Sequence, residues 1–385
     1  PLWYTGFNII YLFTMLLCLV YTVYISSGDV GLFVECAHFI VMVSNLYSTA
    51  LYSLWNKKHF DRMFEIVGSD FFDYGDTYDS IFFNNLVNKW RYTSKSRKRI
   101  VSNLYVRTIF VVSVVHCIIR PMFDWLTGKY EGVKTSDGIV RTLPIAFWFP
   151  FDPDSNAHFI GAHLYEYYGT FLVIICVLCL ELPLISFTEE LCSEFELLAK
   201  GLRSFCHRAQ ALYKIRHGKE PKEKDSEFEE CIRICLRDSV RHHVILIRFA
   251  RSLRRIQYAP LATGTLAATL LLCFSAVLFT DESFSISVKV NFLAMLVGEL
   301  VYAFLFCWYA QKVQDASCLP CQALYDSEWI GHYKTVKPFM IMITSCTSKP
   351  LTLSAAGFLS VSLITFSEVC RTAYSYFSLL KAVND

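Results

Sequence analysis

The sequence predicts an all-α membrane protein with seven transmembrane helices, an N-terminus in the cytoplasm and a C-terminus outside the cell. Of the 385 residues, 54% are hydrophobic and only 18% are charged, and the apolar residues gather in long runs. A hydrocarbon core about 30 Å thick requires about 20 apolar residues of helix, because an unpaired backbone polar group cannot be left in lipid. The distribution of positive charge predicts the orientation.

Seven stretches are long and apolar enough to span the bilayer. They cover residues 7–25, 30–55, 100–126, 159–187, 256–280, 290–310 and 351–380. The chain divides accordingly into helices 1 to 4 (1–187), a helical extension (188–255), helices 5 and 6 (256–310), a second connecting segment (311–349) and helix 7 (350–385).

Lys and Arg are concentrated in alternate connections. The second, fourth and sixth connections hold 28 of these residues, and the opposite side of the membrane holds 5. Since cytoplasmic connections are enriched in positive residues, the even-numbered connections are predicted to lie inside. None of the 15 cysteines falls in the outer connections, which agrees with thiols being kept reduced in the cytosol. This orientation is the reverse of that in G-protein-coupled receptors, which also have seven helices.

The connection after helix 4 carries an apolar seam with alternating spacings of four and three residues. Its members are Leu191, Phe195, Leu198, Leu202, Phe205, Ala209 and Leu212. Such a seam is typical of a helix packed against other helices, although an amphipathic helix can also lie on the inner leaflet. A second amphipathic stretch, 228–256, leads into helix 5, and its His242–His243 pair is expected on a solvated face.

No motif in the sequence favours an enzyme. Cys318 and Cys321 have the spacing of half a zinc or redox site, but zinc needs four ligands and no second pair completes the set. We therefore predict no catalytic residue, no metal and no cofactor. The near balance of 36 Lys and Arg against 34 Asp and Glu argues against a nucleic-acid partner, because such binding depends on a surplus of cations.

Several ionisable side chains fall inside the predicted spans, where they are costly. They are Glu35, Arg107, Arg120, Glu166, Glu181 and Glu299. Most lie near helix ends, so snorkelling to the headgroups or a capping role explains them as well as a functional role does.

Helix 7 carries a continuous stripe that is polar in its middle and apolar toward its end. The stripe consists of Val361, Thr365, Glu368, Thr372, Ser375, Leu379 and Ala382. It indicates either local bonding, with Ser and Thr bonded to their own helix and Glu368 paired with Arg371, or the wall of a water-filled path. In the second interpretation Leu379 and Val383 form an apolar constriction that gates by dewetting.

The outer halves of helices 2, 3, 4 and 6 hold aromatic and aliphatic residues with a few polar atoms, which is the composition of a small-molecule pocket. The candidate ligand-binding residues are Phe39, Met42, His116, Tyr165, Tyr168, Leu172, Phe292 and Met295. An aromatic-rich helix core has the same composition, so the pattern alone leaves both explanations open.

Four segments in the last third of the chain resemble the closing signature of insect odorant receptors. They are Ala-Leu-Tyr-Asp-Ser-Glu-Trp at 323–329, Pro-Leu-Thr-Leu-Ser-Ala at 350–355, Phe-Ser-Glu-Val at 366–369 and Tyr-Ser-Tyr-Phe-Ser-Leu-Leu at 374–380. The inverted seven-helix layout extends the resemblance to the whole chain.

The resemblance implies a ligand-gated, non-selective cation channel of four subunits. In this family helix 7 lines the pore, and the cytoplasmic ends of helices 4 to 7 form an anchor. Most members are tuning subunits that work with the olfactory co-receptor (Orco). The co-receptor has a longer connection between helices 4 and 5 and a Gln where this chain has Ala382, so the resemblance implies a tuning subunit. Alignment on Tyr376 and Phe377 places the family's gate at Leu379 and Val383.

We therefore expect an odorant receptor subunit in the plasma membrane of a sensory neuron, acting in a heterotetramer with the co-receptor. Its predicted partners are a small volatile organic ligand, permeating cations and membrane lipid. The predicted pore and gate residues are Thr372, Ser375, Leu379, Ala382 and Val383. The alternatives are a gustatory-type homomeric channel and a seven-helix receptor coupled to G proteins. A transporter is a weaker alternative, because the sequence has no evident inverted repeat.

Overall fold

The computed structural model describes residues 2–26, 29–69, 71–72, 81–128, 139, 143–146, 148–150, 156–222 and 225–384. Within these ranges the chain is almost entirely helical. The α-helices are α1 (Leu2–Ile25), α2 (Val30–Trp55), α3 (Lys57–Gly68), α4 (Ile81–Val114), α5 (Arg120–Leu126), α6 (Asn156–Cys176), α7 (Leu182–Arg203), α8 (Phe205–His217), α9 (Ser226–Thr280), α10 (Ile286–Tyr325), α11 (Tyr333–Thr347) and α12 (Leu363–Asn384). The strands β1 (Ser354–Ala355) and β2 (Leu359–Ser360) form an antiparallel hairpin.

Six helical segments of the described chain have the length and composition needed to cross a membrane. They are Gly6–Ile25, Val30–Trp55, Asn88–Leu126, Ala157–Arg203, Ser226–Thr280 and Ile286–Tyr325. Each contains one of the first six predicted spans. The α12 helix is not among the six, and its charged and hydroxyl side chains, which include Glu368 and Arg371, explain its lower apolar content. The seventh span therefore remains a prediction.

Helix 7 begins later than the sequence predicts. The predicted span starts at residue 351, whereas α12 starts at Leu363 and the β1–β2 hairpin precedes it. The hairpin turn holds Ala356 and Gly357 at positive φ, a backbone conformation that cannot continue a helix. The backbone N–H of Ala356 donates to the carbonyl of Tyr258 (3.2 Å), and the Tyr258 hydroxyl donates to the carbonyl of Ala356 (2.9 Å). These bonds fix the hairpin to α9.

Two spanning helices contain a π-helical turn followed at once by a proline. The turn Val115–Ile119 connects α4 to α5, which carries Pro121, and the turn Val177–Glu181 connects α6 to α7, which carries Pro183. Proline has no N–H to give to the preceding turn, and its ring crowds the carbonyl four residues before it. The wider π turn accommodates this defect without ending either helix.

The seam after helix 4 is packed rather than laid on lipid. All seven of its residues are buried, and they join α7, α8, α9, α10 and α11 in one apolar cluster. We call the part of this cluster that lies within residues 188–256 and 311–347 the distal assembly. The prediction of packed helices is confirmed, with one break at Ser204 between α7 and α8.

The prediction that His242 and His243 face solvent is wrong, because both side chains are buried in the distal assembly. His242 Nε2 lies 3.1 Å from a carboxylate oxygen of Glu194, and the Phe72 ring stacks on the imidazole. An acidic partner and an aromatic face compensate for the loss of water around the His242 ring.

Polar bonds tie other helices to α7 in the same region. Glu189 holds both Lys312 of α10 (2.5 Å) and Arg97 of α4 (3.3 Å). Trp90 of α4 donates to the carbonyl of Ser193 (3.0 Å).

In α10, Cys318 donates to the carbonyl of Gln314, and the Cys321 sulfur lies 3.6 Å from the hydroxyl of Thr344 in α11. Cys318 is therefore bonded within α10, and Cys321 contributes to the contact between α10 and α11.

Candidate functional site

A cavity of about 200 Å³ lies among α2, α4, α6 and α10. Met15 of α1, Leu271 of α9 and Ile145 from the segment before α6 complete its wall. Both π-helical turns border it, since His116 belongs to the first turn and Val177 to the second. The irregular turns that follow α4 and α6 thus lie beside the cavity. Such π turns within helices frequently occur at functional sites.

Four of the eight predicted ligand-binding residues line this cavity: Phe39, Met42, His116 and Met295. They come from α2, the first π turn and α10, which the sequence assigned to helices 2, 3 and 6. The structure therefore brings these four side chains together around one space.

The other four predicted residues lie behind the wall. Tyr165 and Tyr168 pack on Tyr11 of α1, with ring centroids 4.6 and 4.9 Å apart respectively. The Tyr168 hydroxyl donates to Asn8 Oδ1 (2.7 Å). Leu172 and Phe292 are buried in the neighbouring apolar cluster. These residues support the helices that form the cavity, and they do not border it.

A polar group is built into the wall, and of its members the sequence singled out only Glu299. His38 Nε2 lies 2.7 Å from Glu299 Oε1 and 3.1 Å from the Ser275 hydroxyl, and that hydroxyl donates to Glu299 Oε2 (3.0 Å). His38 and Glu299 line the cavity, and the buried His38 Nδ1 has no hydrogen-bond partner among the described residues. A signal was present, because ionisable residues within membrane spans usually pair with one another.

A second carboxylate marks another part of the same cavity. Glu181 accepts a hydrogen bond from the Tyr105 hydroxyl, and both side chains line the space. Glu181 belongs to the second π turn. Snorkelling or capping therefore does not account for Glu181 or Glu299, since both carboxylates point into the helix bundle and are bonded to neighbouring helices.

A buried ion pair lies next to the cavity. Arg120 Nη2 is 3.2 Å from Glu35 Oε1, and Nη1 donates to the carbonyl of Pro144 (2.7 Å). Glu166 of α6 accepts from the backbone N–H of Ile145 (3.0 Å). These bonds fix the segment 143–146, which includes the cavity residue Ile145, against α2, α5 and α6.

Most of the predicted pore stripe, from Glu368 to Ala382, lies on the side of α12 that faces away from this chain, whereas its first two members, Val361 and Thr365, are buried. Thr365, Val369 and Ala373 of α12 are buried, and the last two pack against α9 and α10. The predicted pore residues occupy the open side: Thr372 is half-buried, Ser375 and Ala382 are exposed, and Leu379 is 63% exposed. The fifth residue, Val383, is part of α12, but its side chain lies outside the described residues.

The interpretation of the stripe as side chains bonded within their own helix holds only in part. Ser375 donates to the carbonyl of Arg371 in its own helix (3.0 Å), as a structural serine does. Glu368 and Arg371 are both exposed, and no ion pair joins them within the described chain. The polarity of the open side is therefore not explained by internal pairing.

The apolar helices and the cavity among them define a polytopic membrane protein with a cavity of small-molecule size. Residues 29–374 match the family described as 7tm Odorant receptor. The chain belongs to this odorant receptor family.

Relatives from Drosophila melanogaster agree with this assignment. The chain is 22% identical to Odorant receptor 67c over 66% of its own length and 57% of the relative's length. It is 21% identical to Odorant receptor 85b over 79% and 73% of the two lengths, respectively. With Putative odorant receptor 85d, the matched part covers 36% of the relative and is 28% identical. The match thus covers less than two thirds of several of these relatives.

The fold resembles solved structures of the olfactory receptor OR5 from Machilis hrabei. The structure in complex with eugenol has a TM-score of 0.76 and 16% sequence identity, and the match covers 99% of this chain and 89% of that one. The structure described without eugenol has a TM-score of 0.73 over 98% and 88% of the two chains. The similarity therefore extends over nearly the full helical framework.

Proposed function

We propose that this chain is the odorant-binding subunit of a ligand-gated, non-selective cation channel that it forms with the olfactory co-receptor. The observation that carries the proposal is the cavity among α2, α4, α6 and α10 in a member of the odorant receptor family. The complex is a heterotetramer in the plasma membrane of a sensory neuron, with the N-terminus inside and the C-terminus outside.

The size and chemistry of the cavity suit a small volatile molecule. A cavity of roughly 150 Å³ in an engineered protein holds benzene, so about 200 Å³ accepts an aromatic ring with a short substituent. The wall is mainly apolar, and Phe39, Met42 and Met295 provide adaptable contact surface. Eugenol, the ligand of the Machilis receptor, is a substituted aromatic compound of this kind.

The α10 helix is the physical connection between the cavity and the pore. Met295 and Glu299 line the cavity, and one turn further along, Ala303 packs in the same cluster as Val369 and Ala373 of α12. Phe304 of α10 also contacts Phe366 of α12, with ring centroids 5.6 Å apart. A ligand that fits the cavity better when α10 is in its open-state position shifts the channel toward opening, because only differential affinity moves such an equilibrium.

In this proposal the open side of α12 faces a central aqueous path. Thr372 and Ser375 line its polar part, and Leu379, Ala382 and Val383 form the apolar end that closes by dewetting. The last helices of the four subunits, arranged around one axis, account for the open side of α12, which has no partner within the described part of this chain.

Current recordings with and without the co-receptor test the proposal. We expect volatile-evoked, non-selective cation currents in cells that express both proteins, and none in cells that express this chain alone. Currents from this chain alone would favour the gustatory-type homomeric channel. A signal that requires G proteins and lacks a direct current would contradict the channel.

Antibody staining of tagged protein tests the orientation. We expect a C-terminal tag to stain intact cells and an N-terminal tag to stain only after permeabilisation. The opposite pattern would indicate the orientation of a G-protein-coupled receptor and would overturn the proposed channel architecture.

A further inference from the structure

A cluster of unpaired cations lies where α2 and α9 leave their apolar segments. Lys57 and Lys58 begin α3 directly after α2, and Arg251, Arg254 and Arg255 directly precede the apolar segment of α9. All five side chains are exposed. Over the residues that the structure describes, none of the five has an ion pair, although many other basic residues outside the spans do.

A hydrogen bond places the two groups at the same depth. The Tyr52 hydroxyl of α2 donates to the carbonyl of Arg255 (2.8 Å), and Lys57 follows Tyr52 by only five residues. At 3.6 residues per turn, the three arginine positions cover about 100° of the helix circumference. The cations of α3 and α9 therefore belong to one patch on the surface of the protein.

Exposed aromatic rings mark this level as a membrane interface. Trp55 is 88% exposed and Tyr258 is 45% exposed, immediately beside the lysines and the arginines respectively. Trp and Tyr are enriched at the headgroup level of membranes. Charges at this level meet lipid headgroups on one side and the apolar segments of the protein on the other.

We propose that Lys57, Lys58, Arg251, Arg254 and Arg255 bind the headgroup of a multiply phosphorylated inositol lipid in the inner leaflet. Basic clusters immediately next to a spanning helix attract anionic lipids, and the planar guanidinium binds phosphate through two parallel hydrogen bonds. A headgroup with one negative charge leaves most of the five cations uncompensated. An inositol ring with several phosphates neutralises several of them at one place.

The site adjoins the segment that leads into α12. Tyr258, one turn after Arg254 and Arg255, holds the β1–β2 hairpin through the two bonds with Ala356. A headgroup that holds this part of α9 also restrains the hairpin and the start of α12. The lipid therefore acts on gating at one end of the spanning region, and Leu379 lies at the other end.

Binding of a short-chain lipid to the purified full-length protein in uncharged detergent tests the site. The probe is dioctanoyl phosphatidylinositol 4,5-bisphosphate, and binding is measured by native mass spectrometry. The test variant carries Arg251→Gln, Arg254→Gln and Arg255→Gln. The control variant carries Arg216→Gln, Lys219→Gln and Lys222→Gln, which removes the same number of exposed positive charges from the end of α8 and the connection that follows it.

We expect the test variant to bind the probe at least tenfold more weakly than the original protein and the control variant to bind it equally well. Equal affinity in the test variant would overturn the site. Equally tight binding of dioctanoyl phosphatidylserine to the original protein would overturn the preference for several phosphates. Size-exclusion profiles of all three proteins verify that each is folded.

The gating consequence rests on the proposed channel function, whereas the binding measurement does not. In cells that also express the co-receptor, enzymatic removal of the inositol phosphates should reduce the evoked current at least twofold. The same treatment should leave the current of the test variant unchanged. A normal evoked current that does not respond to the treatment would refute the gating role alone, and absence of any evoked current would refute the proposed function.

Discussion

The cavity region and the distal assembly share continuous helices but differ in how completely those helices are packed. In the distal assembly, α7, α9 and α10 meet α8 and α11 in one buried apolar cluster that includes the entire seam from Leu191 to Leu212. Around the cavity, the same α10 helix meets α2 and two helices interrupted by π turns, and about 200 Å³ remains open. One helix can therefore be held rigidly at one end and retain freedom at the other.

The difference has a simple physical cause. Helices pack densely where small and large side chains interlock at regular spacing, as they do along the seam. Beside the cavity, Pro121 and Pro183 force irregular turns into two helices, and paired carboxylates such as Glu299 occupy positions that apolar contacts fill elsewhere. The helices are therefore packed less densely at the proposed ligand site.

The largest expected effect tests the packing of the distal assembly. Phe195→Ala should destabilise the protein by about 3–5 kcal/mol, because it creates a cavity in a fully buried cluster. Met42→Ala should cost less, since the Met42 side chain already borders open space. Thermal unfolding of the purified variants provides the comparison. Similar losses of stability in both would mean that the two regions are packed equally well.

The next effect tests whether the cavity is the ligand site. Met295→Trp should fill the cavity and weaken the response to small aromatic volatiles by about tenfold or more, which corresponds to about 1.4 kcal/mol of binding free energy. Leu164→Trp, on the exposed side of α6, is the matched control and should leave potency unchanged. Dose-response curves in co-receptor-expressing cells measure both. An unaltered curve for Met295→Trp in a surface-expressed receptor would place the ligand elsewhere.

The carboxyl groups in the cavity wall should make the receptor discriminate against anionic ligands. Glu181 and Glu299 line the cavity, with His38 paired to Glu299, and no Lys or Arg accompanies them in the described wall. Because like charges in an interface cost several kcal/mol, 3-phenylpropanoic acid at pH 7.5 should be at least about tenfold less potent than 3-phenylpropan-1-ol.

Glu299→Gln should reduce the difference in potency between the acid and the alcohol, because it replaces the carboxyl group with an uncharged amide of the same size. Glu282→Gln, at an exposed position, is the control and should leave the ratio of the two potencies as it was. A ratio that does not change in Glu299→Gln would mean that this carboxylate does not contact the ligand.

The smallest expected effect concerns the open side of α12. Leu379→Ser should raise the resting current by a few-fold, because a hydroxyl allows water to remain in an apolar constriction. Tyr374→Ser also changes an exposed α12 residue, but one about 140° around the helix from Leu379, and it should leave the resting current near its original level. Equal leak from both variants would argue against a gate at Leu379.

Hydropathy and spacing predicted most of the framework because they depend on local composition. The second predicted span, 30–55, coincides with α2, and the heptad-like seam identified the packed face of α7 and α8. The start of α12 was placed too early, since apolar composition alone does not distinguish the hairpin around Gly357 from helix.

The site was predicted less well because helix rotation depends on neighbouring helices. Phe292 and Met295 are three residues apart on α10, yet only Met295 reaches the cavity. Tyr165 and Tyr168 turn toward Tyr11 of α1, a contact between distant parts of the chain that residue type does not reveal. His242 was misjudged for the same reason, because Glu194 and Phe72 come from other segments.

The bonds between the hairpin and Tyr258 hold the start of α12 in place, so that α12 can tilt about that end. Its beginning is fastened to α9 by two backbone-involving bonds, and Val361 is bonded to Leu353 across the hairpin (2.9 Å). Its far end carries Leu379 with most of its side chain uncovered. A small tilt of α12 about its fixed end produces the greatest displacement at its far end, so in the proposed channel slight movements of α10 are amplified at Leu379.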